Sequence, residues 1–210
     1  MSCITELKMR GKKLVEVFID GNSIGRLNVE AVVANGLKTG VEVDIEKLKV
    51  IQFQSNLILA KEKALNLISK FPHTENEVKN KLKANGFGEN VCDSCINFLN
   101  EYKYLNDENY TKLYIEQKGG KIGKNKLSLE LYKKGVSKEL IDLYLNGYES
   151  DKEEIYNILK KFMSNKEKNI KNKTKAYRFL YSRGFVSEDC VSVINRYFDN
   201  EDNNDWDGYC

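Results

Sequence analysis

Between residues 60 and 198 the apolar positions fall at helical spacing, and they recur. Leu82-Lys-Ala-Asn-Gly86-Phe87 returns as Leu131-Tyr-Lys-Lys-Gly135-Val136 and as Leu180-Tyr-Ser-Arg-Gly184-Phe185, so the glycines stand 49 residues apart both times. Eight residues before each glycine lie Val78, Leu127 and Ala176; six after it lie Cys92, Ile141 and Cys190. Nine after come Cys95, Tyr144 and Val193, and ten after come Ile96, Leu145 and Ile194. Offsets −8 and −4 share one helix face, as do +6, +9 and +10. The glycine is placed to end a helix in the left-handed conformation, and the apolar residue after it supplies the contact that goes with such a cap. An earlier helix in each copy carries Ala64, Leu67 and Ile68, then Tyr110, Leu113 and Tyr114, then Ile155, Leu159 and Phe162. Thr74-x-x-Glu77 and Ser150-x-x-Glu153 read as capping boxes, and Ser137 and Ser187 as N-caps of the third helices.

The pattern before residue 60 has period two instead. KKLVEVFID sets Val15, Val17 and Ile19 on one face and Leu14, Glu16 and Phe18 on the other, and Asp20-Gly21-Asn22 turns the chain into SIGRL. ITELKMR is the expected partner strand, joined through Gly11. A short helix over 28–34 should stop at Asn35-Gly36, and a helical period begins again from Asp44 with Ile45, Leu48 and Ile51. The predicted fold is mainly α: three tandem three-helix, helix-turn-helix-like repeats in an elongated chain with a small N-terminal β-rich cap. The boundaries are 1–59 for the cap, 60–104, 105–149 and 150–198 for the repeats, and 199–210 for an acidic tail. Units of this size have little core alone and are expected to pack in tandem.

Composition agrees with uninterrupted helices, since the 210 residues contain one proline. No apolar run approaches the roughly 18–20 residues of a membrane span, and the first residues lack the apolar stretch of a secretory signal. The net charge of +3 conceals an uneven distribution. Residues 60–198 carry 26 bases against 19 acids, whereas 199–210 carry five acids and no base. A basic body with an acidic tail is frequent in proteins that handle polyanions, although a lysine-rich solvated face has the same composition. Five cysteines without a signal sequence fit a reduced, cytoplasmic protein.

Catalytic chemistry finds no footing. Gly119-Gly120-Lys121-Ile122-Gly123-Lys124 lacks the Ser or Thr that completes a phosphate loop, because Asn125 stands there, and no strong strand precedes it. Cys92-x-x-Cys95 is half a zinc site without a second pair, and VCDSCINFL places both thiols on an apolar helix face. The single histidine, His73, sits between Pro72 and the Thr74 cap and reads as an interhelical residue. The expectation is a non-enzyme with no metal site and no cofactor.

Bases do cluster. Lys118, Lys121, Lys124, Lys126, Lys133 and Lys134 bracket the second helix of the middle repeat. A denser run at 160–183 holds nine bases and one acid, among them Lys171, Lys173, Lys175, Arg178 and Arg183. Such density suits phosphate neutralisation. Tyr104, Tyr110, Tyr114, Tyr132, Tyr177 and Tyr181 lie among these charges, available to stack on bases or to pack in the core.

Several of these segments resemble the RecX family, bacterial regulators of the RecA recombinase. The resemblance rests on Ala64-Leu65, Ser69-x-x-Pro72 with Thr74-Glu75-x-Glu77, the Leu82…Gly86-Phe87 step and Tyr104-Leu105-Asn106-Asp107. Lys103 stands where the family has glycine, and the lysine-rich stretch 164–175 makes the third repeat the most divergent. The resemblance implies a tandem three-helix protein that binds the RecA filament along its groove and inhibits ATP hydrolysis, strand exchange and LexA co-protease activity in the SOS response. The expected partner is the RecA filament, with single-stranded DNA met through RecA or directly; the chain is expected to be a monomer with no membrane partner. The other reading of the residues is a direct DNA-binding protein built of helix-turn-helix-like units. The lysine clusters are contact candidates on charge alone.

Overall fold

In the computed structural model, which describes residues 2–199, period-two alternation becomes strand and period-3.6 becomes helix where the sequence places them. Met1 and residues 200–210, with Cys210 and nearly all of the acidic tail, lie outside the described residues. Strands β1 (Ser2–Arg10), β2 (Leu14–Ile19), β3 (Asn22–Asn28) and β4 (Glu42–Val43) form an antiparallel sheet in the order β3-β2-β1-β4. Val15, Val17 and Ile19 of β2 face its core, as the alternation requires. Asp20 and Gly21 both take positive φ, 48° and 82°, giving the two-residue hairpin turn that matches strand twist. The side chain of Asn28 caps α1 (Val29–Ala34) by accepting from the Glu30 N–H at 2.7 Å.

Helix α2 (Ile45–Ile68) runs unbroken for 24 residues, so the cap boundary expected between 59 and 60 falls inside it. Its N-terminal half buries Ile51 in the sheet core, and Ser55 Oγ accepts the buried Asn28 N–H at 2.6 Å. Its C-terminal half buries Ala60 and Ala64 in the first repeat with α3 (Glu75–Ala84) and α4 (Glu89–Glu101). Small residues at these positions let the neighbouring helices approach closely. The sheet and this repeat form one compact unit, 1–106.

A second unit, from residue 107 onward, holds the other two repeats. One comprises α5 (Asp107–Lys118), α6 (Lys124–Lys133) and α7 (Lys138–Leu145); the other comprises α8 (Lys152–Met163), α9 (Ile170–Ser182) and α10 (Ser187–Asp199). Each repeat has its own core. At offset −8 Val78, Leu127 and Ala176 have no exposed surface, and at +6 Cys92, Ile141 and Cys190 are equally buried or nearly so.

The three glycine turns are built alike. Gly86, Gly135 and Gly184 have φ of 85°, 85° and 86°. In the first, the Phe87 N–H donates to the Leu82 carbonyl at 3.3 Å and the Gly86 N–H to the Lys83 carbonyl at 2.9 Å. The corresponding pairs at 135/136 and 184/185 complete the same Schellman motif, which satisfies carbonyls at the helix end.

Two caps differ from expectation. Thr74 and Glu77 form the reciprocal capping box, and Ser137 Oγ accepts from the Leu140 N–H. The Ser150 box does not form: Asp151, one residue later, caps α8 by accepting from the Glu153 N–H at 2.8 Å. A carboxylate next to the hydroxyl is the stronger acceptor at a helix N-terminus. Ser187 lies inside α10 as its first residue, and its hydroxyl meets that of Tyr177 at 2.9 Å.

Candidate nucleic-acid interface

The basic glycine stretch follows helix α5, not a strand, and its glycines serve close packing. The Gly123 N–H donates to the Arg183 carbonyl at 2.9 Å and the Asn125 N–H to the Gly184 carbonyl at 3.1 Å. A Cβ on Gly123 would fall onto the backbone of Gly184 and Phe185, and one on Gly184 onto Lys126. Gly184 therefore ends α9 and also admits the backbone of the preceding repeat. Sequence reasoning saw the first role and missed the second. The guanidinium of Arg183 adds a bond to the Lys121 carbonyl at 3.3 Å and lies 4.8 Å from the Phe179 ring. This clasp brings Lys121, Lys124 and Lys126 to the C-terminal end of α9, beside Arg183, although 57 residues or more separate them in sequence.

Lys171, Lys175 and Arg178 follow the i, i+4, i+7 rule along one exposed stripe of α9, a helix without a single acid. No carboxylate pairs with Lys118, Lys121, Lys124, Lys126, Lys133, Lys171, Lys175 or Arg178 among the described residues. Two candidates are committed locally. The Lys134 ammonium sits 5.7 and 5.6 Å from the rings of Tyr110 and Tyr114, and that of Lys173 lies 5.6 Å from the Phe198 ring at the end of α10. Lys133 and Lys134 close the far end of α6, so the first cluster is not one patch.

The tyrosines divide in the same way. Tyr110 is core, Tyr114 is half-buried with its hydroxyl donating to Glu130, and Tyr177 packs in the third repeat. Burial and the Glu130 carboxylate push the Tyr114 phenol well above its ordinary range. Tyr104, Tyr132 and Tyr181 are 52%, 67% and 57% exposed. Tyr132 and Tyr181 occupy one structural position, three residues before the repeat glycine.

At that position the first repeat has Lys83, and its surroundings are charge-paired. Lys79 on α3 bridges to Glu89 at 2.7 Å and Asp93 at 2.5 Å on α4, and Lys83 reaches Glu89 at 2.5 Å. The hydrogen bond from Lys79, then that from Lys83, hold the Glu89 carboxyl below its usual range. These side chains span the groove between second and third helices. In the later repeats the groove stands open, about 370 Å³ along Ser128, Tyr132, Lys138 and Asp142, and about 320 Å³ along Lys173, Thr174, Tyr177, Val191, Ile194 and Asn195.

The cysteine pair lies on the buried face of α4, as its spacing predicts. Burial pushes the Cys95 thiol up to about 11, which makes it a poor thiolate source. No group of three or more His, Cys, Asp or Glu able to hold a metal occurs among the described residues. His73 Nε2 lies 2.9 Å from the Lys81 ammonium, in the turn between α2 and α3. No helix among the described residues is long and apolar enough to cross a membrane.

Comparison with known proteins places these repeats in a family. The first three-helix domain of RecX matches residues 60–99 and the second matches 106–145. A crystal structure of regulatory protein RecX superposes with a TM-score of 0.65 at 17% identity, covering 96% of this chain and all of that one. The crystal structure of RecX from Lactobacillus salivarius gives 0.60 at 23% identity over 69% of this chain and 97% of its own. Both show the fold. The chain is 37% identical to the regulatory protein RecX of Clostridium tetani over 91% of each, and 36% identical to that of Clostridium beijerinckii over 91% and 92%. With that identity over nine-tenths of its length, the chain belongs to the RecX family of regulatory proteins.

Proposed function

We propose that this chain is a non-catalytic regulator that lies along the groove of the RecA–DNA filament and inhibits RecA ATP hydrolysis, strand exchange and co-protease activity. The RecX kinship carries the reading, because the curated relatives are named as regulatory proteins over almost their whole length. The second unit supports it with a surface for a polyanion-coated partner: the Lys121–Lys124–Lys126–Arg183 clasp and the α9 stripe. Eight of its bases have no carboxylate partner among the described residues. Phosphates would exchange for loosely held counterions there instead of breaking internal ion pairs. The protein acts as a monomer in the cytoplasm and needs no cofactor.

The test is inhibition of a cognate RecA's ATPase on single-stranded DNA, with pull-down of the filament. Lys171→Glu/Lys175→Glu/Arg178→Glu should lower filament affinity at least about tenfold, as expected when buried counterion release is replaced by repulsion. No binding and no inhibition by the unaltered protein overturns the proposal. A second reading, direct DNA binding through the helix-turn-helix-like repeats, draws on the acid-free α9 stripe. Titration of bare single-stranded DNA against salt separates the two. Three phosphate contacts from α9 would contribute a log–log slope of about −2, and a slope near zero removes direct binding.

A further inference from the structure

We propose that the crevice between the C-terminal part of α2 and α3 binds a phosphomonoester with an apolar body of nucleoside size, either a free nucleotide or the 5′ end of a strand. The crevice has a volume of about 260 Å³. That is just below the usual range of small-molecule sites, so it suits one nucleotide and not a length of chain. Lys63, Leu67 and Lys70 follow the i, i+4, i+7 spacing of one helix face, Lys70 lying just past the end of α2. Across from them α3 contributes Lys81 and Leu82. Lys79 and Lys83 of the same helix are tied to Glu89 and Asp93. Lys81 stands about 200° round the helix from Lys79, away from those acids.

No carboxylate lines the crevice, and Lys63, Lys70 and Lys81 have no carboxylate partner among the described residues. Two of the three are held by neutral acceptors. The Lys63 ammonium donates to Asn85 Oδ1, and that of Lys81 donates to His73 Nε2 at 2.9 Å. An ammonium can only donate, so the His73 proton lies on Nδ1, which donates to the Phe71 carbonyl at 2.7 Å. A neutral acceptor positions an ammonium without cancelling its charge.

The charge balance names the ligand. Helices α2 and α3 both end at the crevice, and each C-terminus contributes about half a negative charge. Three ammoniums less that sum leave roughly two positive charges. A phosphomonoester carries close to two negative charges at neutral pH, whereas a backbone phosphodiester carries one. Ala64 and Leu82 are buried and Leu67 half-buried, which gives the uncharged part of the ligand an apolar floor. Asn66 adds a carboxamide at the rim, both donor and acceptor for the edge of a base. The inference rests on the first unit alone and does not depend on RecA being the partner.

Nuclear magnetic resonance titration of the full-length protein with AMP should move the backbone amides of residues 63–70 and 81–85. Adenosine, which lacks the phosphate, should bind at least about tenfold more weakly, the effect of one lost charge-assisted hydrogen bond. Lys63→Gln/Lys81→Gln should weaken AMP binding by at least about tenfold with circular dichroism unchanged. Lys79→Gln removes a charge from the other side of α3 and should leave AMP binding as it was. Equal losses in the two variants overturn the site, and so does a titration in which millimolar AMP leaves these amides in place. Oligo-dT with and without a 5′-phosphate separates the sources. If only the phosphorylated form moves the same amides, the strand end is a ligand; if AMP alone moves them, the site is for free nucleotide. Equal shifts from both oligonucleotides overturn the choice of a monoester.

Discussion

The first and third repeats share a scaffold and use its surface in opposite ways. Both bury offsets −8, −4, +6 and +10 and end the second helix on a glycine near φ +85°. The first then ties Lys79 and Lys83 to Glu89 and Asp93 across the helix pair, and its glycine turn faces open space. The third leaves Lys171, Lys175 and Arg178 without carboxylates among the described residues and presses its glycine turn against the preceding repeat. The apolar offsets set the fold, and the polar positions between them are free to make one repeat a support and another a contact surface.

Substitution of the glycines should sharpen that contrast most. Gly184→Ala is expected to destabilise by about 3 kcal/mol, combining positive-φ strain with overpacking against Lys126. Gly86→Ala has open space and should cost about 1 kcal/mol from φ alone. Denaturant midpoints of the two variants measure the difference. Equal losses would mean that the clasp adds nothing.

A smaller effect should appear where the first repeat leaves α4. Lys103 takes φ +56°, and the Tyr104 N–H bonds to the Leu99 carbonyl at 2.8 Å, a Schellman end without its glycine. Lys103→Gly should raise stability by about 0.5 kcal/mol, the relief of backbone strain being partly offset by the entropy of an unfolded glycine. An unchanged or lowered thermal midpoint would count against strain at this turn.

Smallest of all is the ion-pair cluster itself. Lys79→Gln should lower the midpoint only slightly, because the exposed pair is solvent-screened, and 1 M salt should erase the difference. The sign of its pH dependence is fixed. Lys79 and Lys83 hold Glu89 below the ordinary carboxyl value of 4.5, so the contribution is present above that pH and fades as pH falls through the depressed value. A variant whose deficit grew on acidification would contradict the pairing.

Much of this was legible in the chain. The repeat glycines, the buried offsets, the Asp20-Gly21 turn and the Thr74 cap depend on residues within a few positions of one another. Local backbone geometry and side-chain periodicity are properties of such short stretches. Ser150 misled because its neighbour Asp151 competes for the same N–H groups. The basic candidates were harder. A lysine-rich run has the same composition whether its charges are paired or not. Of the six tyrosines among the bases, Tyr110 is core, while Tyr114 is partly buried against the same core and Tyr177 against that of the third repeat.

The sequence by itself determined a period-two cap, three helical repeats in one register and the kinship to RecX, because each is written in spacing along one chain. Tertiary structure decided which lysines have partners, which tyrosines face outward, and that Gly123 and Gly184 close upon each other. Those outcomes depend on side chains of different helices coming within a few ångströms, a distance that no periodicity within a single helix encodes.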